Sequence, residues 1–341
     1  MDKKKLQKQI IIIICIVLGF VLFDWSFYSL ITKNYINNYG EEMREKSIDL
    51  ESYLPFKDDS LIVHESSNIR ITTNIPQMDG ATALYPIYSA FVEALYPKES
   101  VKFEGKDFSI DSKIQKTGTI EAYKKVIDGE TDIIFCAKPS EKQLEYAKSK
   151  NVELEMVPIG KEAFVFIVNK NNKVNDLSIE QIKDIYTGRI VNWKQVGGEN
   201  KPIIALQRKE GSGSQTAMFS FMHGTEIKKS SQYILGRKIG YSFRYYVESV
   251  VKDGNIKMLS LNGFEPNIEN VRNDKYPIVD SFYMIYRKDN ANENIETIKE
   301  FILSEKGQKI IEDTGYVGVK EISNQWLGIF LFYRKVLRTS L

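Results

Sequence analysis

Between Asn68 and Val319, short apolar runs alternate with stretches patterned at helical spacing, and few folds accommodate that alternation. The runs at 69–75, 132–136 (DIIFC), 163–169 (AFVFIVN), 203–205 and 282–287 (FYMIYR) read as strands, with another near 108–110. Helical spacing appears in LYPIYSAFVEALY, where Leu84, Ile87, Tyr88, Phe91 and Leu95 share a face, and in IEAYKKVIDG, which Gly129 closes. Ser140 and Ser178 each precede a glutamine by three residues, the form of a capping box, and the second helix stops at Gly188. A helical 243–251 and a final helix over 295–312 complete the pattern. Strands alternating with helices predict an α/β protein with parallel sheets.

One stretch carries more chemistry than the rest. Residues 203–222 read IIALQR, KEGSGSQT, AMFSFM: a strand, a tight loop, and a helix beginning near Ser214 or Gln215. Gly211 and Gly213 let successive backbone N–H groups turn toward one point, and a helix start adds unpaired donors and partial positive charge. Ser212, Ser214 and Thr216 supply hydroxyls, and Arg208 supplies a charged fork suited to a tetrahedral oxyanion such as phosphate. An ordinary capped strand-to-helix turn with a solvated arginine uses the same residues. Two further loops, at 79–83 and 117–119, share the form of a strand end, small hydroxylated residues and a helix start. In open α/β sheets ligands sit beyond the carboxyl ends of the strands, so three such loops favour an oxyanion site.

The 341 residues suffice for two domains, and a net charge of +2 from 47 basic and 45 acidic residues gives no field for nucleic acid. Only His64 and His223 are present, which argues against histidine metal sites and serine–histidine triads. Cys15 and Cys136 are expected to stay unpaired, because they fall on opposite sides of a membrane boundary.

That boundary is set by the N-terminus. Lys3, Lys4, Lys5 and Lys8 precede an apolar run at 10–23 that resumes after Asp24 and continues to Ile31. About 20 residues are enough to cross a bilayer, and the lysines hold the head in the cytoplasm. With no small-residue cleavage site after the run, residues 1–31 are expected to be an uncleaved transmembrane anchor. Residues 32–67 read as a stalk or linker carrying one short helix, or as an extension packed on the globular part.

GATALYPIY, GETDIIF, PIGKEAFVFIVN, LSIEQIKDIYTGRIVNWKQVGG, Arg208 with KEGSGSQT, FEPNIENVRNDKYPIVDSFYMIYR and GQKIIEDTGYVGV stand in fixed order from about 69 to 319. In that order and spacing the chain resembles the substrate-binding proteins of bacterial phosphate ABC importers. The resemblance implies a two-lobed periplasmic-binding-protein type II fold with crossing hinge strands: 68–162 and 276–320 as lobe 1, 163–275 as lobe 2, and 321–341 as a tail. It implies phosphate held by Thr82, Ala83, Thr119, Arg208, Ser212, Gly213 and Ser214. It also implies ABC importer permease subunits as partners, a monomeric chain outside the cell membrane, and no catalytic residue, metal or cofactor. One position departs from the pattern. Ala137, followed by Lys138, stands where the transport proteins carry an aspartate that accepts the proton of the phosphate ion. Glu121 and Asp79 are the nearest carboxylates in sequence to replace it, and altered selectivity is expected.

Three functions are therefore weighed: a membrane-anchored receptor for phosphate or a similar oxyanion; a non-transport sensor or scaffold derived from the same family; and a phosphoester enzyme, which the scarcity of histidines disfavours. The tail sequence WLGIFLFY at 326–333 is too short to span a bilayer and reads as an interfacial segment or as packing on its own lobe.

Overall fold

The computed structural model describes residues 11–14, 16–26, 28–29, 43, 46–228 and 236–319. Its first half contains β1 (Met78–Gly80), a 3-10 turn at Thr82–Leu84, α1 (Tyr85–Leu95), α2 (Thr119–Asp128), β2 (Ile133–Cys136), α3 (Glu141–Ser149) and the long β3 (Leu154–Asn169). There follow β4 (Asp176–Leu177), α4 (Ile179–Tyr186), β5 (Ile203–Ala205), α5 (Gly213–Met222), β6 (Arg237–Phe243), β7 (Ile256–Met258), β8 (Ser260–Leu261) and α6 (Ile268–Arg272). The last elements are β9 (Val279–Arg287), α7 (Asn294–Leu303), α8 (Glu305–Thr314) and β10 (Val317–Gly318).

The main sheet runs β1-β2-β9-β3-β6-β5, with β7 and β10 also paired to β3. Parallel pairing occurs between β1 and β2 and between β5 and β6, whereas β2/β9, β9/β3 and β3/β6 are antiparallel. The sheet is thus mixed rather than purely parallel, because β3 and β9 are crossing strands and not members of strand–helix–strand units. Strand β3 serves two bodies. Leu154 to Ala163 pairs with β9, and Phe164 to Val168 pairs with β6.

Packing follows the same division. In β2, alternation sends Ile133 and Phe135 to a core shared with α1, α7 and α8, and Ile134 and Cys136 to a second core under α2 and α3. A third core gathers Phe164, Phe166, Tyr186, Trp193, Met218 and Tyr241 on the far side of the crossing. The molecule is a mixed α/β protein of two lobes joined through crossing strands.

Both capping boxes form, with Gln143 and Gln181 each closing on its serine. Helix α1 is buried nearly all round rather than on one face, because an N-terminal extension covers its outer side. Tyr85 donates to Leu50 O, Ser89 donates to Tyr53 O, and Ile48, Leu50, Tyr53 and Ile62 are buried in the first core. From 46 to 67, therefore, the chain is a packed extension and not a free stalk.

Several element boundaries differ from the sequence reading. Residues 69–75 form no strand, since Asn74 takes a positive φ of 47° and the pairing edge moves past Pro76 to β1. Near 108–110 there is only an isolated bridge from Phe103 to Phe108. The final helix is two helices, because Ser304 leaves α7 extended and caps α8 at Gly307 N. Phe243 ends β6, and the helical turn at Tyr246–Val251 is wider than an α-helix.

Residues 11–14, 16–26 and 28–29 are helical, and among the described residues no helix is long and apolar enough to cross a membrane. Positions 10, 15, 27, 30 and 31 of the expected span, most of 32–45 and the 321–341 tail lie outside the described residues.

Candidate functional site

Three helix starts converge on one cavity of about 70 Å³, several times what a single water needs. Its lining includes Thr82, Ala83, Thr119, Arg208, Ser212, Gly213 and Ser214, so all seven expected residues come together from both lobes.

On the second lobe, Gly211 takes φ +81°, a value favourable only to glycine, and turns the chain into α5. Ser212 is the N-cap, its hydroxyl accepting from Gln215 N at 3.3 Å. The first-turn N–H groups of Gly213 and Ser214 have no acceptor within the helix and stand at its positive end. On the first lobe, Gly118 at φ +88° opens α2 at Thr119, and the turn at Thr82–Leu84 leads into α1. A Cβ built on Gly213 would lie 3.5 Å from Ala137 Cβ and 3.7 Å from Thr119 Oγ1, which shows how closely the lobes approach here. At the mouth, Gln143 Nε2 donates to Gly211 O at 3.2 Å and Lys142 pairs with Glu210 at 2.7 Å, joining α3 to the loop before α5.

Arg208 is only 8% exposed. Its backbone N–H donates to Gln215 Oε1 at 2.8 Å and to the Tyr241 hydroxyl at 3.1 Å, which fixes the main chain at the end of the strand. Its guanidinium lies 5.9 Å from the Tyr246 ring centroid, and among the described residues it has no carboxylate partner. A buried cation beside neutral donors is a strong anion attractor, because low polarity sharpens its field.

The wall also holds two carboxylates that the sequence reading did not single out, Glu162 and Asp280. Glu162 sits where β3 crosses between the lobes. It accepts from Arg244 Nε at 3.1 Å, Ala163 N at 2.8 Å and Tyr245 N at 3.1 Å. Burial pushes its carboxyl up to about 7, while Arg244 and the two backbone donors pull the other way. Asp280 on β9 pairs with Lys138 at 3.6 Å. Each is a lone acidic residue in an apolar strand run, KEAFVFIVN and VDSFYMIY, and that signal was available in the sequence.

The two carboxylates nominated from sequence do not line the cavity. Asp79 is fully buried and accepts from Gly80 N, Thr117 N and Thr117 Oγ1, so it holds the loop ahead of Thr119. Burial raises its carboxyl, against those hydrogen bonds and Lys125. Glu121 is exposed and faces Lys124 at 4.0 Å. Ala137 does line the cavity, with its carbonyl accepting from the Tyr123 hydroxyl at 2.6 Å.

Comparison with known proteins places this geometry in a wider group. The chain is 26% identical over 254 residues to the phosphate-binding protein PstS of Bacillus subtilis strain 168, covering 72% of this chain and 81% of that one. It is 28% identical over 260 residues to PstS of Staphylococcus epidermidis, covering 70% and 77%. Among solved structures, a Clostridium perfringens protein assigned as a phosphate ABC transporter substrate-binding protein, with bound phosphate, superposes with a TM-score of 0.55. It shares 26% identity over 74% of this chain and 100% of its own. An ABC-type phosphate transport receptor from Vibrio cholerae shares the fold, with a TM-score of 0.51 at 20% identity. The model of the PBP superfamily domain matches residues 71–305, and the chain belongs to the PBP superfamily.

Proposed function

We propose that this protein binds inorganic phosphate, or a similar tetrahedral oxyanion, between its lobes and delivers it to the permease subunits of an ABC importer. The observation that carries the reading is the buried Arg208, free of any carboxylate among the described residues, facing three helix starts in one cavity. The names of the relatives point the same way. In this reading Thr82, Ala83, Thr119, Ser212, Gly213 and Ser214 surround the anion with N–H and hydroxyl donors, and Arg208 supplies the charge. Charge-assisted hydrogen bonds contribute about 1.5–3 kcal/mol each, so Arg208 with several donors reaches micromolar affinity, about −8 kcal/mol, after the costs of association.

Lobe 1 comprises 68–162 and 276–320 and lobe 2 comprises 163–275, with residues 10–31 holding a monomer on the outer side of the cell membrane. The protein binds and releases without turnover. Ala137 in the cavity wall favours a second reading, a sensor derived from the family, in which occupancy rather than transport is the output.

The test is a calorimetric titration of the full chain with phosphate, beside Arg208→Ala. The wild type should bind one ion per chain, and the variant should lose at least about 1.5–3 kcal/mol. Equal affinity in the two would place the site elsewhere.

A further inference from the structure

We propose that the N-terminal extension is a strap that bridges the two lobes and positions Arg208 through Tyr246, so that anion occupancy and seating of the strap are linked. The inference rests on the phosphate reading of the cavity.

Met43 reaches the second lobe, and Lys46 reaches the turn at Tyr246–Val251, whose Tyr246 and Val250 pack in the first core beside Arg208 of the second lobe. Met43 N donates to Gln207 O at 2.8 Å, one residue before Arg208. Its thioether fills the space over Gly240 on β6, where any Cβ would collide with the sulfur. Lys46 and Tyr246 exchange two hydrogen bonds: Lys46 N donates to the Tyr246 hydroxyl at 2.7 Å, and that hydroxyl donates to Lys46 O at 2.8 Å. Lys46 Nζ donates to Val251 O at 2.8 Å.

A few residues later the same segment is in the first lobe. Ile48, Leu50 and Tyr53 are buried in its core, and the carbonyls of Leu50 and Tyr53 accept from Tyr85 and Ser89 of α1. A segment fixed to both bodies is fully seated in only one relative placement of them. Tyr246 makes the connection to the ligand, since it lines the cavity and its ring lies under the Arg208 guanidinium. An anion drawing Arg208 into one position therefore selects the Tyr246 position that Lys46 holds, and the coupling is reciprocal.

The experiment titrates inorganic phosphate into the full-length wild type, Lys46→Ala, Lys46→Pro and Tyr246→Phe. Proline at 46 removes the N–H that Tyr246 accepts from, at a position outside the cavity lining, and alanine controls for the lost side chain. Phenylalanine keeps the ring and removes the tether. Lys46→Pro should bind about 3- to 10-fold more weakly than Lys46→Ala, the scale of one hydrogen bond, and Tyr246→Phe should fall by a similar factor. Joining the two changes should add little beyond either one, because they break the same link. Amide exchange in the strap should slow under saturating phosphate in the wild type and not in Arg208→Ala. Phosphate binding that Lys46→Pro and Tyr246→Phe leave unchanged overturns the strap. A wild type that binds no phosphate overturns the reading of the cavity instead.

Discussion

Arg208 is anchored by its backbone, through Gln215 and Tyr241, which leaves its buried guanidinium available to the cavity between the lobes. The charge and the small-residue loop after it were legible in the sequence because two further loops repeat the same form, which an isolated capped turn with a solvated arginine would not require. Glu162 and Asp280 stood out there only as lone acids in apolar runs, and their place in the cavity wall was not legible, since which strand residues face a cleft depends on how two lobes meet. Ala137 yields a prediction at this scale. A carboxylate there would accept from protonated phosphate, but toward sulfate it would present a buried unpaired acceptor, at a cost of about 1–3 kcal/mol. Ala137→Asp should therefore raise the phosphate-to-sulfate affinity ratio, measured by titrating both anions. An unchanged ratio would remove Ala137 from any role in selectivity. Glu162 yields another. Its folded carboxyl is raised to about 7 from an ordinary 4.5, so between those values the folded state keeps a proton that the unfolded chain has released. Its contribution to stability then falls as pH rises from about 4.5 through about 7. Urea unfolding at pH 5 and pH 7.5 should show a shallower pH dependence in Glu162→Gln than in the wild type.

Capping boxes are local devices, and the two at Ser140 and Ser178 could be read directly because all their partners lie within one turn. Residues 69–75 misled for the opposite reason. Their apolar content suits a strand, but whether a run pairs is decided by a neighbour, and here the neighbour of β2 is Met78–Gly80. Helix 295–312 kept its apolar periodicity across Ser304, which conceals a break that shows only as an extended backbone angle. Gln143 serves two elements at once, closing the capping box of α3 and donating across the cleft to Gly211 O. Gln143→Glu preserves the capping acceptor and loses the cross-cleft donor. It should leave the melting temperature of the free protein nearly unchanged and weaken phosphate binding by about 0.5–1.5 kcal/mol, as scanning calorimetry and titration together would reveal. A loss of stability with unaltered affinity would assign Gln143 to the helix alone. By contrast Lys142 and Glu210 are both mostly exposed, and their pair should contribute little.

For the whole molecule, the α/β class and the resemblance to phosphate-importer binding proteins were legible along the chain, while the mixed sheet was not. Strand alternation reports local pattern, and the direction in which β3 and β9 cross between lobes is a property of topology. The extension at 46–67 was legible only as an open choice between stalk and packed segment, because four scattered apolar residues do not announce which surface they cover. The central claim is that the cavity between the lobes is an anion site with Arg208 as its charge. A crystal structure of the protein grown with phosphate tests it most directly. The account predicts one tetrahedral ion within hydrogen-bonding distance of the Arg208 guanidinium and of the first-turn N–H groups of α5, with Thr82 and Thr119 closing on it from the other lobe. An empty cavity at saturating phosphate, or an ion bound away from Arg208, would contradict it.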